Sequence, residues 1–193
     1  MRAVIHRATS GEVRVDGTVV GCLALDPSEA GERRQGLVVL LGVQRGDGAE
    51  QVATVARKIA ELRILDDERS ALDAGAPILV ISQFTLYGDT RKGRRPSWAH
   101  AAPGEEAEPL VDAVVADLRG RGLHVETGQF WAMMEVSLVN DGPFTVLVEA
   151  YFPSNLARNF PIDLSIVGIS SLELQRLWAV SKSDRGELRA TFG

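Results

Sequence analysis

Apolar and polar residues alternate along this chain with changing rhythms. Near the N-terminus the period is two: Val4 stands among polar neighbours, and Glu12-Val13-Arg14-Val15 leads into Asp16-Gly17 and then Thr18-Val19-Val20. Asp-Gly between two β-rich runs predicts a hairpin, because glycine takes a positive φ at little cost. Two runs lack polar members, Leu37–Leu41 and Ile78–Ile81, and read as strands buried on both faces. Between them the period changes: Val52, Val55, Ala56, Ile59 and Leu62 recur at three and four residues, which predicts a helix over 49–65. A second helix is expected over 105–119. Glu105 and Glu106 suit its first turn, Leu110, Val111, Val114 and Leu118 its apolar face, and Gly120 and Gly122 its end. Strands near 136–139 and 144–148 flank Asn140-Asp141-Gly142-Pro143, which reads as a turn. Residues 26–36 and 66–77 read as polar loops.

Strands and helices intermix without a regular βαβ alternation. The expected fold class is therefore mixed α/β, a layered domain over 1–150. Residues 151–193 look different, punctuated by Pro153, Pro161 and Gly168, with one helix-like stretch at 172–180. They are expected to be a C-terminal extension, either docked or loose.

Composition changes this picture little. Of 193 residues 45% are hydrophobic and 24% charged, which places the chain among ordinary globular proteins. A single cysteine, Cys22, excludes an internal disulfide framework and a cysteine-cluster metal site. The longest apolar run, Leu37–Val43, is too short to span a bilayer. Arg2, His6 and Arg7 interrupt the first ten residues, so no signal peptide and a cytoplasmic location are expected. The net charge of -5 argues against indiscriminate nucleic-acid coating. Within that acidic body lies one dense basic stretch, Arg91-Lys92-Gly93-Arg94-Arg95. It is either a solvated loop or a local phosphate-binding patch.

The chemistry-bearing candidates are few. Gly88–Arg95 lacks the Lys-Ser/Thr pair of a nucleotide-binding loop. His6, His100 and His124 are scattered, with no metal-ligand spacing among them. Ser82-Gln83-Phe84-Thr85 stands at the exit of a buried strand, where layered α/β folds present chemistry. The plainer reading is a polar strand end satisfying turn hydrogen bonds. Gly142-Pro143 is either an ordinary turn or a cis peptide holding two carbonyls on one side.

Taken together, Ser82-Gln83-Phe84-Thr85-Leu86-Tyr87-Gly88-Asp89, the basic run Thr90–Ser97 and Val136–Thr145, with its Asn140-Asp141-Gly142-Pro143, resemble the D-aminoacyl-tRNA deacylases from Met1 to about Ala150. The resemblance implies a compact β/β/α domain forming a homodimer with its active site at the subunit interface. It implies hydrolysis of the ester joining a D-amino acid, or mischarged glycine, to tRNA. No cofactor, metal, membrane or DNA is implied. The alternative is a non-catalytic tRNA-binding homodimer derived from such an enzyme; release of free amino acid separates the two.

The resemblance also assigns residues. Ser82, Gln83, Phe84 and Thr85 form the catalytic segment. Thr85 acts either as a nucleophile or, as favoured here, as a positioning residue beside an oxyanion hole of backbone N–H groups near Phe84 and Thr85. Gly142, Pro143, Asn140 and Arg7 form the substrate-binding set, with Gly142-Pro143 as a cross-subunit wall that rejects L side chains by collision. Arg91, Lys92, Arg94 and Arg95 would meet the tRNA acceptor end. The chain departs from the family pattern in His6, where Gln is usual, and in Trp131, where Gly is usual. Its 26–36 loop is longer and its 66–72 stretch shorter. Trp131 either narrows the amino-acid site or repacks its wall.

Overall fold

The computed structural model describes residues 1–25, 34–91 and 93–151. The stretch at 172–180, the rest of the extension beyond Tyr151, most of the 26–36 loop and Lys92 lie outside the described residues. The described part holds six strands: β1 (Arg2–Val15), β2 (Thr18–Cys22), β3 (Gly36–Gly42), β4 (Ile78–Ser82), β5 (Val125–Thr127) and β6 (Glu135–Glu149). Its helices are α1 (Ala49–Glu61), α2 (Ala71–Ala74) and α3 (Gly104–Gly120).

The mixed α/β class stands. One sheet runs in the order β2-β1-β3-β4-β5, with β6 also paired to β1. The first half of β1 pairs antiparallel with β3 and its last residues with β2, while β6 runs beside it from Arg2 to Arg14. The links β3-β4 and β4-β5 are parallel. The expected hairpin forms at Asp16-Gly17, both at positive φ (49° and 76°).

The two all-apolar runs are buried on both faces, as their composition requires. Leu37, Val39, Leu41, Ile78 and Val80 face α1 and α3, in a core with Val55, Ile59, Val114 and Leu118. Val38, Leu79 and Ile81 face a smaller cluster with Ala8, Val13 and Leu23 on the other side. Burying both faces at roughly 25 cal/mol per Å² of apolar surface makes these two strands the centre of the fold. No helix among the described residues is long and apolar enough to cross a membrane.

Local features differ from the sequence reading at the end of α1, in the 66–77 segment, at β5 and at Asn140–Pro143. Helix α1 stops at Glu61, because Leu62 turns extended (φ -65°, ψ 127°) and delivers Ile64 and Leu65 to the core. The 66–77 segment contains α2, capped by Ser70 with Asp73 in a capping box and closed by Gly75 at φ 62°. Four residues are too few for a periodic signal, and the three-residue β5 escaped for the same reason. The last difference, at Asn140–Pro143, belongs to the site.

Candidate functional site

Asn140–Pro143 is not a turn between two strands; it lies inside the single strand β6. His6 pairs with Thr145 and Ala8 with Asn140, so the four residues Asp141–Phe144 stand opposite Arg7 alone. This is a large bulge, and bulges re-aim backbone groups away from the ladder. Gly142-Pro143 at its centre is cis.

The Arg7 side chain occupies the bulge. Its Nε donates to the Asp141 carbonyl at 3.0 Å and its Nη2 to the Gly142 carbonyl at 2.9 Å. Nη1 donates to the Ile64 carbonyl and to Asp66 Oδ1, both at 3.2 Å. The guanidinium lies 4.7 Å from the centre of the Phe144 ring, a cation–π contact. The Asp141 carboxylate approaches Nε at 3.1 Å, and Arg7 and Asp141 are 6% and 3% exposed. A planar fork with five donors suits this task, since it fixes three carbonyls and two carboxylates at once. Outside the bulge, Thr145 Oγ1 donates to Asn140 Oδ1 at 3.2 Å and His6 Nδ1 lies 3.2 Å from the same oxygen. These exposed contacts tie the neck of the loop.

The Ser82–Thr85 segment sits at the exit of β4, as expected. Ser82 ends the strand, Gln83 N–H donates to the Leu41 carbonyl at 2.7 Å, and Phe84–Tyr87 form a 3₁₀ turn. The turn packs against Gly42, where a Cβ would lie 2.9 Å from the Gln83 carbonyl oxygen. The first bond across the turn runs from Leu86 N–H to Gln83 at 3.2 Å, which leaves the Phe84 and Thr85 N–H groups outside its ladder. The Gln83 amide donates to Thr85 Oγ1. An amide N–H is a donor and cannot take the hydroxyl proton, so it does not activate Thr85 as a nucleophile.

Arg2 also fastens this turn and was not legible as a site residue. Its Nη1 donates to the Leu86 carbonyl at 2.5 Å, its guanidinium lies 4.8 Å from the centre of the Tyr87 ring, and it pairs with Glu149 at 2.6 Å. Burial of Tyr87 pushes its phenol well above the usual range. No motif distinguishes Arg2 from any charged residue near a strand start.

The basic run forms a loop closed at its base by Asp89–Ser97 backbone bonds of 2.8 and 2.9 Å. Arg94 and Arg95 are exposed. Arg91 is exposed too, but its guanidinium is bound to Asp89 at 2.9 and 2.6 Å. Those hydrogen bonds hold the Asp89 carboxyl well below the usual carboxylate range. Beside the loop, Phe84 (55% exposed) meets Trp98 edge-on, with ring centres 5.4 Å apart. Trp131, 72% exposed, stands at φ +64° with Nε1 donating to Glu108 at 3.1 Å.

The structure thus brings Arg7, Asn140, Gly142 and Pro143 together, and separately brings Ser82, Gln83, Phe84 and Thr85 together. It does not bring the two groups together within the described chain. Ser82 is level with Leu41 and Ala3, whereas the bulge is level with Arg7, four residues further along β1 and across three strand boundaries.

Comparison with known proteins places this arrangement. The family model described as D-Tyr-tRNA(Tyr) deacylase matches residues 4–149. A D-aminoacyl-tRNA deacylase of Kineococcus radiotolerans is 59% identical over 150 residues, covering 78% of this chain and 100% of that protein. One of Streptomyces coelicolor is 60% identical over 149 residues, covering 77% and 99%. Among solved structures, a c-Myc DNA unwinding element binding protein superposes with TM-score 0.68 and 32% identity, over 79% of this chain and 100% of that one. A probable eukaryotic D-amino acid tRNA deacylase superposes with TM-score 0.59 at 15% identity, over 76% and 97%, a likeness of fold. With the family match spanning most of its length and relatives this similar, the chain belongs to the D-Tyr-tRNA(Tyr) deacylase family.

Proposed function

We propose that this protein hydrolyses the ester bond of D-aminoacyl-tRNA, that it does so as a homodimer, and that each site takes its catalytic segment from one copy and its chiral wall from the other. Family membership supports the reaction. The composite site is supported by the register of the sheet. Four residues along a strand and three strand spacings across separate the bulge from Ser82 by roughly 13 Å and 14 Å, or about 19 Å in all. An aminoacyl ester places its α-amino group and its carbonyl carbon within a few bonds of each other. One chain therefore cannot apply both groups to one ester, while a twofold pair can.

In this reading water attacks the ester carbonyl carbon, and the oxyanion is received by the Phe84 and Thr85 N–H groups. The tetrahedral intermediate collapses with departure of the ribose 3′-oxygen, which takes up a proton, giving free amino acid and tRNA. The neighbouring ribose 2′-OH helps to activate the water. Thr85, Ser82 and Gln83 position the ester. The Gly142 and Pro143 carbonyls accept from the substrate's α-amino group, and an L side chain collides with the same backbone. The exposed Arg94 and Arg95 face the tRNA backbone.

Deacylation of D-Tyr-tRNA beside L-Tyr-tRNA tests the reaction: rapid release of D-tyrosine with the L ester spared is expected. Loss of neither ester, from folded protein, overturns it. Mixing tests the composite site. A copy whose bulge no longer binds the α-amino group and a copy whose Ser82–Thr85 segment is disrupted as a whole are each expected to be inactive alone, and together to regain one intact site per mixed dimer. No recovery, with mixed dimers demonstrated, rejects it. Thr85→Ala is expected to keep kcat within about tenfold of the parent, whereas loss of a true nucleophile costs several orders of magnitude.

A further inference from the structure

Arg7 accounts for how the bulge carbonyls are held, but not for what holds Arg7 in register. Two carboxylates flank its guanidinium: Asp141 Oδ2 at 3.1 Å from Nε and Asp66 Oδ1 at 3.2 Å from Nη1. They come from elements far apart in sequence, β6 and the 3₁₀ turn Asp66–Glu68. One further side chain joins them. The Gln35 amide Nε2 donates to Asp141 Oδ2, and its Oε1 accepts from the Asp66 backbone N–H at 2.9 Å. Gln35, Asp141, Arg7 and Asp66 thereby close a ring around the guanidinium.

We propose that Gln35 is a positioning residue for chiral selection, acting through Asp141 and Arg7 on the Gly142 carbonyl. The inference rests on the reading of Gly142-Pro143 as the wall. The chemistry of the position is specific. A primary amide is neutral, donates at one end and accepts at the other, and so ties a carboxylate to an N–H without adding charge. Leucine offers neither group, and glutamate sets a second carboxylate against Asp141. Gln35 immediately precedes Gly36, which pairs with Ala8 beside Arg7, so its backbone is fixed by the same sheet that carries the bulge. A loose ring lets the fork rock, and the Gly142 carbonyl moves with it because the two are bonded at 2.9 Å. An opening of well under an ångström at a wall that works by collision is enough to admit the wrong isomer.

The test measures kcat/KM for D-Tyr-tRNA and L-Tyr-tRNA with the parent, Gln35→Leu, Gln35→Glu and Arg7→Lys, alongside thermal unfolding. The D/L ratio is the readout, because any unfolded fraction lowers both values equally and cancels. The ratio is expected to fall about tenfold or more in Gln35→Leu, the scale of losing a hydrogen bond to a charged group. A larger fall is expected in Gln35→Glu. Arg7→Lys keeps the charge but loses the fork, and serves as the control for the wall itself. A ratio unchanged in both Gln35 variants and lowered in Arg7→Lys overturns the role of Gln35 and leaves the wall standing. A ratio unchanged in all three overturns both.

Discussion

At one end of the sheet, four residues of β6 are held out of the ladder by the side chain of Arg7, through carbonyls, carboxylates and an aromatic ring. At the other end, the Ser82–Thr85 segment is held by backbone: a strand end, a 2.7 Å bond from Gln83 to Leu41, and close packing on Gly42. The first arrangement concentrates its support in one buried cation. The second spreads its support over main-chain contacts that no single side chain controls, with Arg2 as an outer clasp. In the proposed reading the wall needs exact placement of backbone, and the fork fixes the Gly142 carbonyl directly and the Asp141 carbonyl just before it. An oxyanion site needs free N–H groups, which the start of a 3₁₀ turn supplies without side-chain help.

The widest gap between the two ends should open on Arg7→Ala. It takes the cation away from the buried Asp141 carboxylate and removes a donor from each of the Asp141 and Gly142 carbonyls. Removing one partner of a buried pair costs about 3–5 kcal/mol. Denaturant unfolding should show a loss of that size, and the folded remainder should lose discrimination against L-Tyr-tRNA. A loss under about 1 kcal/mol, as for an exposed pair, would mean that Arg7 is not the support it looks to be.

The backbone-built end responds to bulk instead. Gly42→Ala places a methyl 2.9 Å from the Gln83 carbonyl oxygen and 3.1 Å from Leu86 Cβ. Backbone must give, at about 1–3 kcal/mol. Here kcat/KM should fall for D-Tyr-tRNA while the D/L ratio holds, the reverse of the Arg7 pattern. A changed ratio would merge the two ends into one functional unit and break the comparison.

How much of this was legible in the sequence follows the same division. Leu37–Leu41, Ile78–Ile81 and the face Val52-Val55-Ala56-Ile59 were readable because burial imposes a local rhythm. So was Ser82–Thr85, since the exit of a buried strand is a local feature. The bulge was misread as a turn because Asn-Asp-Gly-Pro has turn composition, and only pairing with β1 distinguishes a bulge from a reversal. Arg7 entered through resemblance alone, and Gln35 and Arg2 not at all. Their partners lie 31 to 147 residues away in sequence, and one polar residue carries no periodic trace of a distant partner.

A smaller effect concerns the exposed indole near the N-terminus of α3. A Cβ on Gly104 would fall 2.2 Å from the Trp131 ring. The ring's far edge can swing aside, so Gly104→Ala should cost only about 1 kcal/mol, while breaking the bond to Glu108. Tryptophan fluorescence should report the swing. In Trp131→Ala the same substitution should be neutral in stability, and a cost that persists there would place the clash elsewhere.

The smallest effect in stability, and the most discriminating for tRNA, compares Arg94 with Arg91. Both are exposed, and removing either should leave the unfolding midpoint in place. Their value as phosphate ligands differs, because Asp89 already neutralises Arg91. Arg94→Ala should reduce the slope of log K against log salt by about 0.7–0.9, one phosphate contact. Arg91→Ala should reduce it by less than half as much. Acid should not erase the difference. The Asp89 carboxyl is depressed by its bonds from Arg91, so the pair is intact above the ordinary carboxylate range and is lost only as pH falls below that range. Between about pH 7 and pH 5 Asp89 stays ionised and Arg91 stays occupied. Equal slopes for the two variants at neutral pH would mean that tRNA takes Arg91 away from Asp89, and that the loop reorganises on binding.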